Sequence, residues 1–148
     1  MDTKEKEQYV FNRLCISDLQ ECIATLKLLD GLENDGLKLI VIKSAIVSYA
    51  RPFKTNYGKY NKRLKQDAKS LIPSKYVAKH HEVMEYRDQF IAHTDISFRN
   101  PQLLNDSIGH GIGMHLPELQ DLIELSQPLI DLCEHIRSEL WIKVSKYI

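Results

Sequence analysis

The sequence predicts an all-α fold, an up-and-down bundle of four to five helices in a single domain that spans residues 1–148. Three observations favour this fold class. Apolar residues recur at steps of three and four along several segments, which is the period of an amphipathic helix. Apolar residues make up 43% of the chain, an ordinary value for a globular protein. A length of 148 residues is that of one domain able to bury its own core.

The first two long helices are predicted in the first third of the chain. The first has a lead-in from about residue 4 and is expected to begin again at a capping box formed by Ser17 and Gln20. The second runs over residues 35–51 and ends there because Pro52 disfavours helical geometry in the residue before it. Its apolar start also fits a buried strand, but its length favours a helix. The apolar stripe of the first helix consists of Cys15, Leu19, Cys22, Leu26 and Leu29.

The third helix is predicted over residues 74–92, with Ser74 as its N-cap. The last helical region covers residues 117–147 and is expected to break or kink at Pro128, with Ser126 as the new N-cap. Between helices, residues 52–73 are predicted to form a basic surface loop that could hold a short helix over 64–71. Residues 95–116 contain three glycines and are predicted to be irregular, with a small hairpin as one possible form.

The sequence indicates a cytoplasmic protein. Its N-terminus is charged and lacks the apolar core of a signal peptide, and no apolar run is long enough to span a bilayer. Cys15, Cys22 and Cys133 all lie in apolar helical patterns, so they are expected to be reduced core thiols. Neither a phosphate-binding nor a dinucleotide-binding glycine motif is present, so no cofactor is predicted.

Histidine spacing does not favour a metal site. His80 and His81 are adjacent, so on a helix they point about 100° apart and are poorly placed to share one metal. His80 is predicted to be a hydrogen-bonded core residue. His110 and His115 lie in the glycine-containing segment without cysteine or paired acidic ligands nearby. No metal is therefore expected.

Positive charge is concentrated in one segment although the whole chain has zero net charge. Residues 51–79 contain nine basic residues and one acidic residue, hence a net charge of +8. Such segregation suggests an anionic partner. Tyr57 and Tyr60 lie among the cations, which suits phosphate contact combined with base stacking. The predicted nucleic-acid contacts are Arg51, Lys54, Lys59, Lys62, Arg63 and Lys65. The alternative is a solvated loop that faces an acidic surface of a partner protein.

Arg87 and His93 are the predicted reaction centre. Arg87 falls on the apolar seam of the third helix, where an unpaired cation would be costly. His93 falls near the end of that helix, where the negative end of the helix dipole favours the protonated imidazole. The alternative is that Arg87 forms a buried ion pair with an acidic residue on another helix, and that His93 only ends the helix.

The arrangement of Arg87, Asp88 and His93 resembles the HEPN superfamily. Its metal-independent ribonucleases carry an arginine, commonly followed by Asn, Asp or His, and a histidine after four to six residues. The resemblance covers roughly residues 19–100 and includes the stretch 45–53 before the basic loop. HEPN toxins controlled by nucleotidyl modification often have a tyrosine two residues after the histidine. Asp95 stands there in this chain, so that form of regulation is not expected.

The resemblance implies an endoribonuclease that uses the 2′-hydroxyl of RNA as nucleophile, in the setting of a toxin or phage-defence effector. His93 would be base or acid, Arg87 would stabilise the phosphorane, and Asp88 belongs to the same motif. On an ideal helix, six residues place two side chains about 9 Å and 120° apart, so convergence needs unwinding near Ala92 or a partner chain. A homodimer would bring two Arg/His pairs into one cleft.

Two other functions fit the same pattern. One is a non-catalytic HEPN-like module that binds RNA or protein, including an antitoxin or other partner, through the basic surface. The other is a dimeric scaffold in which a buried Arg87 fixes the packing.

Overall fold

The computed structural model describes residues 1–92, 102–105, 109–113 and 117–148, and most of these residues are helical. The helices are α1 (Thr3–Lys27), α2 (Asp35–Ala50), α3 (Ala68–Leu71), α4 (Val77–Glu85), α5 (Leu119–Glu124) and α6 (Ser126–Ser145). 3-10 turns lie at Leu28–Gly31, Arg51–Phe53 and Ser74–Tyr76, and α4 continues into a π-helix, Tyr86–Ala92. The predicted all-α fold class is confirmed.

The first helix is a single element capped at Asp2. The Asp2 carboxylate accepts the N–H of Glu5 at 2.8 Å, and the Glu5 carboxylate accepts the N–H of Asp2 at 2.7 Å. This capping box satisfies two of the free N–H groups at the helix start. The helix passes through Ser17 without interruption, so the predicted restart at Ser17 and Gln20 was wrong. Packing of the buried stripe against the core on both sides of Ser17 outweighs the local capping signal.

The predicted apolar stripes form one continuous core. α1 packs along α6 and α2, and α2 also packs against the π-helix and α5. Cys15, Cys22 and Cys133 are buried free thiols, as predicted. Other fully buried side chains of this core are Leu19 on α1, Ile42, Ile46 and Tyr49 on α2, and Leu129, Leu132, Ile136, Leu140 and Val144 on α6.

Two predicted N-caps were wrong. Ser74 lies in a 3-10 turn after Pro73, and that turn has no side-chain cap. The last helical region does break near Pro128, as expected, because α5 ends at Glu124 and α6 begins at Ser126. However, the Ser126 hydroxyl donates to the carbonyl of Ile123 instead of accepting an N–H. Pro128 is tolerated because it lies in the first turn of α6, where its missing N–H has no helical partner to lose.

The glycine-containing segment holds a short hairpin, one of the forms expected there. Strands β1 (Gln102–Asn105) and β2 (His110–Gly113) pair antiparallel, with Gln102 opposite Gly113 and Asn105 opposite His110. They form the one sheet in the described part of the chain. In the basic segment, the short helix α3 is shorter than the expected 64–71. Within the described ranges, no helix combines the length and apolarity needed to cross a membrane.

Candidate nucleic-acid interface

Arg87 lies in the π-helix that follows α4. In a π-helix each N–H bonds to the carbonyl five residues earlier, so the turn is wider than in an α-helix. The buried seam that begins at His80 and Val83 continues at Phe90. Arg87 does not join it, and its side chain is 28% exposed. The prediction that Arg87 faces the buried seam was therefore wrong, because it assumed the angular spacing of an α-helix.

Asp88 links Arg87 to the basic segment. Arg87 Nη1 donates to Asp88 Oδ1 at 2.9 Å, and Lys54 Nζ lies 2.7 Å from the same carboxylate. Asp88 is the one acidic partner of Arg87 among the described residues. An ion pair between Arg87 and an acidic residue of another helix is therefore not found there. We call Lys54, Asp88 and Arg87 the charge triad.

The charge triad carries a net positive charge at neutral pH. Desolvation alone would raise the pKa of Asp88, but hydrogen bonds and charge interactions with Lys54 and Arg87 outweigh it and leave this pKa below its ordinary value. Asp88 is thus ionised and faces two cations. A guanidinium has five N–H donors, and only the Nη1 group of Arg87 is used within the described part of the chain. With respect to the described residues, the remaining donors of Arg87 are available to an anion.

The other predicted site residues lie in different surroundings. His93 is outside the described residues. Arg51 donates to Asp18 and Glu21 of α1 at 3.0 Å each, which ties the 3-10 turn Arg51–Phe53 to that helix. The hydrogen bond to Asp18 raises the pKa of Arg51 above its ordinary value. Arg51 therefore enters an ion-pair network that the sequence did not indicate.

The basic loop, residues 54–65, is folded on itself. Asn56 and Leu64 pair through two backbone hydrogen bonds of 2.8 Å, so the residues between them form a closed turn. Tyr57 is 83% exposed and Tyr60 is 47% exposed. Two flat aromatic rings are thus open to solvent among the cations, as base stacking requires.

Most cations of the basic loop are not neutralised. Lys62, Arg63 and Lys65 are exposed and form no ion pair within the ranges that the structure describes. Lys59 lies over the ring of Tyr60, with Nζ 5.4 Å from the ring centroid. Of the six predicted contacts, Arg51 and Lys54 are paired with carboxylates. The other four, Lys59, Lys62, Arg63 and Lys65, keep the charge that attracts phosphate.

A carboxylate of α1 sets the shape of the basic loop. The Glu7 carboxylate accepts the backbone N–H groups of Lys59, Tyr60 and Asn61, and also the side-chain amide of Asn61 at 2.8 Å. Successive N–H groups that converge in this way form an anion-binding nest. A Cβ at Gly58 would clash with this carboxylate, so a larger residue there would push the Glu7 side chain out of the nest. Desolvation raises the pKa of Glu7, but these bonds outweigh it and lower the pKa overall.

No family model, curated protein or solved structure matches this chain.

His80 is a core histidine, as predicted. Its Nδ1 lies 2.7 Å from the Tyr49 hydroxyl, and the residue is 6% exposed. Burial, with a smaller contribution from His81, lowers the pKa of His80 to about 4. The ring is therefore neutral at pH 7, and its Nδ1 shares one hydrogen bond with the Tyr49 hydroxyl. Among the described residues, no group of His, Cys, Asp and Glu could hold a metal ion, and His115 lies outside them.

Sequence reasoning missed two contacts of this surface. The pairing of Lys54 with Asp88 joins residues 34 positions apart, and the pairing of Glu7 with the basic loop joins residues more than 50 apart. Periodicity within one element carries no signal for either. Gly58 was a usable clue, because a glycine among cations can mark a close approach of another group.

Proposed function

We propose that this chain is a HEPN-like, metal-independent endoribonuclease whose reaction centre contains Arg87 and His93. The observation that carries the proposal is the charge triad, because Asp88 joins the arginine of the motif to Lys54 at the start of the basic loop. An RNA strand bound by the loop cations would thereby lie close to Arg87. The π-helix adds support, since π-turns inside helices are frequent at functional sites.

In the proposed reaction the RNA supplies its own nucleophile. The 2′-hydroxyl loses its proton to a neutral imidazole and attacks the adjacent phosphorus, while the bond from phosphorus to the 5′-oxygen breaks. The 5′-oxygen takes a proton from an imidazolium, so the products are a 2′,3′-cyclic phosphate and a 5′-hydroxyl. Arg87 donates to the non-bridging oxygens, which gain charge in the phosphorane. Asp88 holds the guanidinium in place.

A homodimer completes this mechanism. One histidine is poorly suited to act as base and acid in a single step, and a two-fold axis would bring a second His93 to the same phosphate. The biological setting we propose is that of a toxin or phage-defence effector, controlled by a partner protein. This setting depends on the HEPN resemblance alone.

The test is cleavage of a mixed RNA by the wild type and by His93→Ala and Arg87→Ala, each in the presence of EDTA. We expect the wild type to cleave and both variants to lose most of the activity, on the order of 100-fold or more. His93→Ala must keep the melting temperature of the wild type. Cleavage by folded His93→Ala at the wild-type rate would contradict the proposal.

A second candidate function is a non-catalytic RNA-binding module. It is favoured by the position of the unpaired cations Lys62, Arg63 and Lys65, which lie on the basic loop and not in the π-helix. The test is the salt dependence of RNA affinity. If three cations contact phosphates, Lys59→Ala, Lys62→Ala and Arg63→Ala together should reduce the slope of log affinity against log salt by about 2.

A matched control for this test is Lys143→Ala with Lys146→Ala on the last helix, which should leave the slope unchanged. A slope that is the same in the triple variant and the wild type would contradict phosphate contact by the loop. Salt-dependent binding without cleavage would favour the module over the enzyme.

A further inference from the structure

A cavity beside the basic loop lies outside the charge triad. It has a volume of about 520 Å³ and is lined by Phe53, Lys65, Gln66, Asp67, Ala68, Lys69, Val77 and His81. This volume is within the range of small-ligand sites, about 300–1,000 Å³. Phe53, Ala68 and Val77 give the cavity an apolar wall, and Lys65, Lys69 and His81 add cationic or protonatable groups.

The charges of the cavity favour an anionic ligand. Lys65 and Lys69 are exposed and form no ion pair with the part of the chain that the structure describes. The one carboxylate in the lining, Asp67, accepts the backbone N–H of Lys69 at 3.1 Å as the cap of α3. Gln66 is also occupied, since its side chain donates to Asn12 at 2.8 Å. Asp67 keeps its negative charge, so Lys65, Lys69 and Asp67 together give the lining a net charge of +1, and His81 adds a further polar group.

The cavity and the charge triad are built on the same two segments. Phe53 lines the cavity and precedes Lys54 of the triad in the chain. His81 lines it from α4, the helix that continues into the π-helix with Asp88. Asp88 lies seven positions after His81, which corresponds to about 10 Å along a regular α-helix and to less where the chain enters the wider π-helix. A short single strand of nucleic acid can span this distance.

We propose that this cavity binds a nucleotide of the RNA strand whose phosphate lies at Arg87, with the base against the apolar wall and a phosphate at Lys65 and Lys69. A base has a flat apolar face, and its phosphate carries a negative charge that could pair with Lys65 and Lys69, which have no acidic partner among the described residues. The inference rests on the proposed RNA function and adds a second subsite to it.

The experiment measures binding of an RNA hexamer that carries a 2′-O-methyl group on every ribose. This probe lacks the nucleophile, so its binding is independent of cleavage, and a chain without ribonuclease activity can still pass the test. We expect the hexamer to shift the backbone amide resonances of Ala68 and Val77. Shifts confined to other residues would overturn the proposal.

Variants separate the cavity from general charge attraction. Val77→Trp fills the cavity and keeps its charge, and Lys65→Gln with Lys69→Gln removes the cations. Each should weaken hexamer binding by about tenfold or more, because Val77→Trp excludes the base from the apolar wall and the lysine pair variant removes the cations that attract the phosphate. Lys143→Gln with Lys146→Gln removes the same charge from the C-terminal end of α6 and the residue after it, and should change affinity far less. Equal effects of the cavity variants and this control would overturn the proposal.

Two further measurements complete the design. Val77 is 40% exposed, so Val77→Trp should keep the wild-type melting temperature; if it does not, the lysine pair variant decides. Adenosine 5′-monophosphate is tested alone, because a free nucleotide has the same chemistry as a nucleotide of a strand. The hexamer should bind more tightly than the monophosphate. A monophosphate that binds in the cavity as tightly as the hexamer would overturn the strand subsite.

Discussion

Asp88 is the residue that holds the Arg87 guanidinium in its position. Its carboxylate bonds to Arg87 and Lys54 at once, and it is 41% exposed, so it contributes little to stability, about 1 kcal/mol or less. Its importance lies in geometry. In Asp88→Asn the two cations lose the carboxylate that holds them, and a misplaced guanidinium stabilises the phosphorane poorly.

We expect Asp88→Asn to lower kcat for RNA cleavage by roughly 10- to 100-fold, the cost of a small misplacement. KM should stay the same or fall, because the substitution removes a negative charge near the phosphate. Glu85→Gln, a change of an exposed carboxylate at the end of α4, is the matched control and should leave both constants unchanged. A rise in KM with unchanged kcat would show that Asp88 does not position Arg87.

His80 makes the fold sensitive to acid. Its pKa in the folded protein is about 4, below the ordinary value of 6.5, so the unfolded chain binds more protons between these values. The stabilisation from the neutral ring is complete above about pH 6.5 and is lost as the pH falls towards 4. At 1.36 kcal/mol for each pH unit, the loss is at most about 3 kcal/mol.

Urea unfolding of the wild type and His80→Gln between pH 4 and pH 7 measures this loss. We expect a smaller pH dependence in His80→Gln, because glutamine can hydrogen-bond to Tyr49 without titrating. His135→Gln changes a histidine outside the core cluster and should keep the wild-type profile. The account of His80 fails if the profiles of His80→Gln and the wild type coincide.

At the scale of elements, the basic loop depends on α1. The Glu7 carboxylate binds three backbone N–H groups of the loop, and hydrogen bonds to an ionised acceptor are stronger than neutral ones. Because the pKa of Glu7 is lowered, its stabilising effect is present above the ordinary value of 4.5 and is lost as the pH falls through the lowered pKa. The loop conformation is thus held at neutral pH.

We expect Glu7→Gln to loosen the loop at pH 7 and to speed trypsin cleavage after Lys59, Lys62 and Arg63. The difference between this variant and the wild type should shrink in acid, which is followed from the melting temperatures because trypsin is inactive there. Glu33→Gln, a substitution of an exposed glutamate outside α1, should cleave at the wild-type rate. Equal cleavage of Glu7→Gln and the wild type would contradict the role of the nest.

For the whole molecule, periodicity predicted the core well. The stripes of α1, α2 and α6 are buried because residues three or four positions apart return to the same face of a regular helix. The same reasoning failed at Arg87, since a π-turn changes that period and no local residue type signals it. It also failed at Ser17 and Ser126, where capping residues occur but the packing of the core decides which helix ends exist.

The site was predicted in part. The concentration of cations was visible in the sequence, and Lys59, Lys62, Arg63 and Lys65 are exposed and pair with no carboxylate in the described part of the chain. Arg51 and Lys54 pair with Asp18, Glu21 and Asp88 through contacts between segments that are distant in the sequence. Local sequence patterns do not indicate such contacts. The same holds for the cavity beside the loop, whose lining comes from the 3-10 turn, α3, α4 and the chain between them.

The central claim is that RNA is cleaved through its own 2′-hydroxyl at a site with Arg87 and His93. The most direct measurement is mass spectrometry of the fragments that the wild type releases from RNA in EDTA, with His93→Ala as the comparison. The account predicts fragments with 2′,3′-cyclic phosphate and 5′-hydroxyl ends, and none from His93→Ala. Fragments with 5′-phosphate ends, or no fragments from the wild type, would contradict it.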